Sequence, residues 1–157
     1  MLDASFEQLD LESNILVGML PSCLFEFRQL KRLVLKNNFF TGGLPRGLLT
    51  VPTLQTVNLA DNRLTGSMDV LFQAPASIAG GESSASSLAR LGLNNNALTG
   101  TVPVDLANFA SLTFLNLEDN SLTGMVDAGI CGLTTTLLRQ FSVDCAEVNC
   151  TCCTNCL

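Results

Sequence analysis

The sequence contains no histidine, tryptophan or tyrosine, so phenylalanine is its only aromatic residue type. Histidine is the side chain used most often in general acid–base catalysis and is the commonest metal ligand, and its absence argues against both roles. Tryptophan and tyrosine are two of the side chains that most often anchor tight protein interfaces. We therefore expect a protein that is not an enzyme and that has no catalytic residue, no metal site and no cofactor.

Basic residues are also few, with 8 Lys and Arg against 14 Asp and Glu and a net charge of −6. Nucleic acid is bound by basic surfaces, so we expect no nucleic-acid partner. Hydrophobic residues make up 47% of the 157 residues, enough for one domain with a buried core. No apolar run approaches the roughly 20 residues of a membrane span. Residues 1–5 lack the basic and apolar regions of a signal peptide.

Leucine, in contrast, is abundant and regularly spaced. A segment of the form LTFLNLEDNSLTGMV (residues 112–126) occurs five times, with starts at residues 6, 30, 54, 88 and 112. The starts are 24 residues apart, except for 34 residues between the third and the fourth. The shared pattern L-x-x-L-x-L-x-x-N-x-L is typical of leucine-rich repeats, which stack into a solenoid. We predict five repeats in residues 1–133, followed by a Cys-rich cap in residues 134–157.

The leucines and the asparagine of each repeat have different predicted roles. The alternating end of the leucine run indicates a short strand, with Leu115 and Leu117 inward and Asn116 outward. Stacking aligns these strands in parallel and buries the leucines, each contributing about 1.5–3 kcal/mol. The asparagine that follows is expected to be structural, because its amide can bond backbone groups that the turn leaves unpaired. These residues are Asn14, Asn38, Asn62, Asn96 and Asn120.

The second half of the repeat carries a further motif. Residues 17–21, 41–45 and 99–103 read VGMLP, TGGLP and TGTVP, which closely resembles the plant-type extracellular leucine-rich repeat. That family includes ectodomains of receptor-like kinases and receptor-like proteins, and polygalacturonase-inhibiting proteins. The resemblance implies an α/β solenoid forming a short horseshoe arc, with a parallel concave sheet and with turns and short 3-10 pieces on the convex side. Asp69 and Asp127 replace the motif's proline and are expected to loosen that side.

The resemblance also implies a recognition module outside the cell or at its surface, and solenoids bind partners on the concave face. A protein, peptide or glycan is the expected ligand. The outward positions on or beside the strands are charged in the second repeat and rich in amides in the middle of the concave face. They also include one exposed aromatic residue, Phe114. Phe114 is expected either to anchor a ligand or merely to pack beside Arg90. Ion pairs such as Glu12–Lys36 are expected here. The candidate ligand-binding residues are Arg32, Val34, Lys36, Asn58, Arg90, Asn94, Phe114, Asn116 and Glu118.

Three other functions fit the same features. The chain would be an inhibitor of a secreted wall-degrading enzyme, or a structural wall or adhesion protein whose repeats serve as a spacer. It would be a receptor-kinase ectodomain only as a fragment, because the sequence has neither a membrane span nor kinase motifs. The first repeat starts near residue 1, so we expect an uncovered N-terminal edge that meets either further repeats or a partner.

The longer spacing between the third and fourth repeats places ten additional residues in 73–87, QAPASIAGGESSASS. Segments rich in Ala, Ser and Gly bury little apolar surface, so we predict a flexible surface loop. A tolerated insertion is one interpretation, and a contribution to the binding face is the other.

Six of the seven cysteines lie in the tail, whereas Cys23 lies in the first repeat. We expect disulfides that tie a cap over the end of the core, since the repeat type indicates an oxidising compartment. Six cysteines allow fifteen connectivities, and the adjacent Cys152 and Cys153 are expected to take different partners. Residues 144–156 follow the pattern D-C-…-C-x-C-C-x-x-C, through which the tail also resembles those of diatom leucine-rich-repeat proteins. The disulfide candidates are Cys131, Cys145, Cys150, Cys152, Cys153 and Cys156.

Two further interpretations of the tail remain open. Four thiolates would suffice for a tetrahedral zinc site, although their spacing is tighter than in the usual paired loops. The ligands of such a site would be Cys150, Cys152, Cys153 and Cys156. Residues 149–151 read Asn-Cys-Thr and match the N-glycosylation pattern.

Overall fold

The computed structural model of the chain describes residues 6–73 and 87–156. The insertion predicted at 73–87 lies outside these ranges, except for its first and last residues. Gln73 N donates to Val70 O at 3.3 Å and Ser87 N donates to Pro52 O at 3.4 Å. The flexibility of the loop therefore stays a prediction.

A seven-stranded parallel sheet forms the concave side, as the repeat spacing predicts. Its register pairs equivalent residues of successive repeats, so that Leu9 is followed by Leu33, Val57, Leu91 and Leu115, and then by Phe141. The strands, in spatial order, are β1 (Gln8–Asp10), β3 (Arg32–Val34), β5 (Thr56–Asn58), β7 (Arg90–Gly92), β9 (Phe114–Asn116), β12 (Gln140–Val143) and β14 (Asn155–Cys156).

A second parallel sheet, which the leucine pattern did not predict, follows the first in every repeat. In the second to fourth repeats the Thr-Gly segment is extended there, and its glycine has a positive φ, for example 76° at Gly42 and 84° at Gly66, where a side chain would be strained. In spatial order its strands are β2 (Val17–Met19), β4 (Phe39–Gly43), β6 (Arg63–Ser67), β8 (Ala97–Gly100) and β10 (Ser121–Leu122). A third, two-stranded sheet pairs β11 (Gly124–Met125) with β13 (Val148–Asn149).

The convex side consists of short helical pieces, which confirms the predicted architecture. Among the described residues, four are 3-10 helices and the last is an α-helix, α1. None of the helices in the described ranges is long and apolar enough to cross a membrane. The pieces are Ser22–Glu26, Leu48–Thr50, Met68–Phe72, Val104–Asn108 and α1 (Ala128–Thr134).

The expectation that two aspartates loosen the convex side is wrong. Asp127 is the N-cap of α1, and its carboxylate accepts a hydrogen bond from Gly129 N at 2.7 Å. Asp69 lies in the first turn of its 3-10 helix, where its N–H and its carboxylate both bond Ser67 Oγ, at 3.2 and 2.7 Å. The backbone N–H groups of Gly129 and Asp69 at these helix N-termini therefore have side-chain acceptors, Asp127 and Ser67 respectively.

The leucine ladders form the core between the sheets and the convex helices. Leu33, Leu91 and Leu115 are fully buried. A second ladder lies two residues further along each repeat, and its members Leu59, Leu93 and Leu117 are also fully buried. Leu11, the first member of that second ladder, is the exception, with 37% of its surface exposed. Its exposure follows from its place at the outer edge of β1, which has a strand neighbour on one side only among the described residues.

The repeat asparagines connect each turn to the preceding repeat. Asn38 donates to Leu11 O, Leu35 O and Lys36 O at 2.9–3.2 Å, and its Oδ1 accepts from Leu16 N at 3.0 Å. The same bonds recur at Asn62, Asn96 and Asn120. Asn14 donates to Leu11 O and Glu12 O within its own turn.

Candidate functional site

A shallow groove crosses the concave sheet at its centre. It runs over β3, β5, β7 and β9 and contains eight of the nine predicted ligand-binding residues. Glu118, the ninth, is not among the lining residues. The predicted residues in the groove are Arg32, Val34, Lys36, Asn58, Arg90, Asn94, Phe114 and Asn116.

Five further residues, outside the predicted set, line the groove. Most belong to the same outward rows of the sheet, so the two-residue alternation of the strands was the signal that could have found them. They are Glu12, Thr56, Val57, Ala60 and Gly92.

Val34 lies on the floor of the groove but is only 2% exposed. Its neighbours in register are Asp10 on β1 and Asn58 on β5. A side chain with so little free surface offers a ligand a small apolar contact only. Val34 therefore forms part of the floor of the groove and offers a ligand little contact area.

The cations at the N-terminal side of the groove are paired. Arg32 reaches Asp10 at 3.3 Å, and Lys36 reaches Asp61 in the next repeat at 3.6 Å. The predicted pair between Lys36 and Glu12 is therefore wrong in its partner, because Lys36 turns toward the third repeat. These exposed pairs each contribute about 0.2–1 kcal/mol and leave both charges accessible.

Arg90 and Phe114 form the centre of the groove. They are neighbours in register on β7 and β9, and the guanidinium carbon lies 4.3 Å from the ring centroid. Among the described residues, no carboxylate lies within ion-pairing distance of Arg90. The stack contributes about 0.5–1 kcal/mol at an exposed site and holds the guanidinium in place. Phe114 thus packs beside Arg90, which was one of its two predicted roles.

Two asparagines on either side of Gly92 present hydrogen-bond donors. Asn58 Oδ1 accepts from Ala60 N at 3.2 Å, and Asn116 Oδ1 accepts from Glu118 N at 3.0 Å. With the oxygens engaged, the two NH2 groups have no protein acceptor within the described ranges. Gly92 leaves the space for this arrangement, since a Cβ there would lie 3.0 Å from Asn58 Oδ1. The groove therefore combines a fixed guanidinium with free amide donors.

The C-terminal cap is held by three disulfides, which join Cys131 to Cys152, Cys145 to Cys156 and Cys150 to Cys153. Cys152 and Cys153 thus take different partners, as predicted. All four cysteines of the zinc alternative take part in these bridges. Within residues 6–73 and 87–156, no cluster of acidic or Cys side chains is arranged to hold a metal ion. The similarity of the tail to diatom proteins stays a prediction.

Comparison with known proteins gives matches of two kinds. By sequence, the model of the Leucine Rich Repeat family matches residues 111–133, and no curated protein matches the chain. By structure, the chain is similar to the leucine-rich-repeat ectodomain of the plant membrane receptor kinase GASSHO1/SCHENGEN3 from Arabidopsis thaliana, in complex with CASPARIAN STRIP INTEGRITY FACTOR 2. This match has a TM-score of 0.72 and 29% identity, and covers 90% of the chain and 16% of that protein.

Two further solved structures are similar. The plant peptide hormone receptor RGFR1 in complex with RGF2 has a TM-score of 0.72 and 29% identity, over 94% of the chain and 21% of that protein. The BIR3–SERK2 complex from Arabidopsis thaliana has a TM-score of 0.64 and 30% identity, over 79% of the chain and 61% of the matched protein. The chain thus spans between 16% and 61% of these three proteins. Its repeat geometry and the family match identify it as a leucine-rich-repeat protein, and its structure is similar to those of plant receptor ectodomains.

Proposed function

We propose that the chain is a non-catalytic recognition module that binds a protein or a peptide in its concave groove, outside the cell or at its surface. The similar structures support a partner of this class, because two contain CASPARIAN STRIP INTEGRITY FACTOR 2 and RGF2 as partners and the third is a complex of BIR3 with SERK2. The three disulfides support an oxidising compartment.

The observation that carries the proposal is the arrangement at the centre of the groove. The guanidinium of Arg90 is held against Phe114 and keeps its charge free. The free NH2 groups of Asn58 and Asn116 suit the carbonyl oxygens of an extended backbone. A guanidinium suits a carboxylate, which it can bind through two parallel hydrogen bonds. The ligand that fits best is an extended polypeptide segment with a carboxylate near its middle.

The test begins with the chain produced through a secretory route and screened against secreted proteins and peptides for saturable binding to one partner. Saturable binding separates recognition from a structural role, and binding that selects sugars instead would favour the glycan interpretation. The groove is then tested with Arg90→Ala. We expect a loss of at least about tenfold in affinity, or ~1.4 kcal/mol, because a central Arg is a typical hot spot.

Arg63→Ala is the matched control for that variant. Arg63 also lies over a phenylalanine, with its guanidinium carbon 4.8 Å from the ring centroid of Phe39, but it belongs to β6 in the second sheet. We expect this variant to bind like the unchanged chain. Equal losses in both variants, or a loss with Arg63→Ala alone, would place the binding surface outside the groove and overturn the proposal.

A further inference from the structure

The C-terminal cap contains a chemical motif that ligand recognition does not use. Asn149, Cys150 and Thr151 form the only N-x-S/T sequence in the chain. Asn149 and Thr151 are both exposed. The backbone of Asn149 is engaged, because its carbonyl accepts from Val126 N at 3.0 Å, whereas its side-chain amide has no partner among the described residues. The folded cap therefore leaves room for a group attached to this amide nitrogen.

An exposed methionine lies beside Asn149. Asn149 on β13 is the register partner of Met125 on β11, so the two side chains lie on the same face of this small sheet. Val126 and Val148, the next residues in alternation, are buried at 6% and 1% exposure. Met125 itself is 71% exposed. A bulky group on Asn149 would lie directly over the Met125 thioether.

We propose that Asn149 is an N-glycosylation site and that its glycan covers Met125 on the cap. The inference rests on the extracellular location in the proposed function, because the modification is made in the secretory pathway. The co-reactant is an oligosaccharide carried on a lipid pyrophosphate. The amide nitrogen of Asn149 forms a bond to C1 of the first sugar and loses a proton, while the C1–O bond breaks and the lipid pyrophosphate leaves with the electron pair.

The middle residue of the motif makes this modification compete with folding. Cys150 is bridged to Cys153, only 3 residues away, and Asn149 is held in β13 by its pairing with β11. Closing this small ring constrains the segment that a transferase must bind in extended form. The glycan must therefore be added before the Cys150–Cys153 bridge closes, and a fraction of the chains closes the bridge first and remains unmodified.

The first experiment measures occupancy. The full chain is expressed in a eukaryotic secretory host, and its mass is compared before and after treatment with peptide-N-glycosidase, which converts a glycosylated Asn to Asp. We expect a sugar mass and an Asp at position 149 after treatment. Asn155 is the internal control, because Asn155-Cys156-Leu157 has no hydroxyl at its third position. A secreted chain without sugar, or with sugar elsewhere, overturns the proposal.

Three variants test the motif and the competition. Thr151→Val removes the hydroxyl with little change of shape and is expected to abolish the modification, whereas Thr151→Ser is expected to retain it. The double variant Cys150→Ser/Cys153→Ser keeps the motif and removes the bridge, so its occupied fraction is expected to rise. Occupancy is measured in whole-cell extract as well as in the medium, so that a cap that fails to fold still gives a result. An unchanged occupied fraction would refute the competition.

The second experiment tests whether the glycan covers Met125. Exposed methionines are oxidised to the sulfoxide by peroxide, and Met19, also 71% exposed, lies at the opposite end of the molecule. Met68, which is fully buried, reports any unfolding. Removal of the glycan is expected to raise the oxidation rate of Met125 severalfold relative to Met19. A constant ratio would refute the shielding.

The two proposals fail separately. A glycosylated cap on a chain that binds no partner contradicts the proposed function and leaves this inference intact. A secreted chain that binds a partner in the groove but carries no sugar on Asn149 contradicts only the inference.

Discussion

The two ends of the repeat stack differ in how their outermost residues are covered. At the C-terminal end, β12 and β14 extend the concave sheet beyond the fifth repeat, and Phe141 and Val143 on β12 are fully buried beneath the disulfide-bonded cap. At the N-terminal end, β1 and β2 are the outermost strands described, and the side chains of Val17 and Met19 are 74% and 71% exposed. Similar repeats therefore have different surroundings at the two ends.

Hydrogen bonding shows what the C-terminal cap supplies. Within the stack, the N–H groups of each turn donate to carbonyls of the next repeat, as Asn95 N and Asn96 N do to Glu118 O and Asp119 O. After the fifth repeat the carboxylate of Asp144 takes over this role. At the other end, Asn14 Oδ1 accepts no bond from the described residues. Covering an end thus requires substitutes for the hydrogen-bonding groups that a neighbouring repeat provides. Further repeats or a partner at the N-terminal edge stay a prediction.

The largest expected effect compares the two ends of one leucine ladder. Leu117 is fully buried next to the cap, whereas Leu11 is 37% exposed. Leu117→Ala is expected to lower the free energy of unfolding by about 2–5 kcal/mol, because it leaves a cavity. Leu11→Ala is expected to cost less than about 2 kcal/mol, since its side chain already contacts water. Urea unfolding measures both. Equal losses would show that the two ends are packed alike.

The next effect concerns the disulfides. The Cys131–Cys152 bridge closes the longest loop of the cap, with a sequence separation of 21. Cys131→Ser/Cys152→Ser is expected to lower the free energy of unfolding by about 3 kcal/mol, because the unfolded chain regains the freedom of that loop. Cys23→Ser is the control, since Cys23 forms no bridge and lies in the first repeat. If both variants are equally stable, the cap does not depend on this bridge.

The fold was predictable from the sequence because a repeating pattern reports the same environment several times. The spacing of Leu33, Val57 and Leu91 at matching positions required parallel strands in one register, and the structure has that register. The second sheet was missed because its strands are brief and mostly exposed, and because four of the five described strands contain a glycine with a positive φ, which a pattern of apolar alternation does not detect. The residue before each repeat asparagine is always Ser, Asn or Asp, and its φ is 53–56°. This restricted choice of residue types was a signal in the sequence that could have predicted the turn.

Details of the candidate site were less predictable because they depend on side-chain conformations. The outward position of Lys36 followed from the strand alternation, but its choice of Asp61 over Glu12 depends on how the side chain turns. Val34 was correctly expected in an outward row, yet its flanking residues cover it almost completely. The Cys131–Cys152 and Cys145–Cys156 bridges and the hydrogen bonds of Asp144 join residues that are distant in sequence, which no local pattern specifies.

The smallest expected effect tests Asp144 as the substitute for a further repeat. Its two carboxylate oxygens accept from Asp119 N at 2.8 Å and from Asn120 N at 3.1 Å. Asp144→Ala removes both acceptors and is expected to cost about 1–3 kcal/mol of the free energy of unfolding. Glu147→Ala is the control, because Glu147 is an exposed acidic residue of the same cap. The hydrogen-exchange rates of the Asp119 and Asn120 backbone amides measure the local effect. We expect faster exchange only in Asp144→Ala, and unchanged exchange would mean that the carboxylate does not cover the end of the ladder.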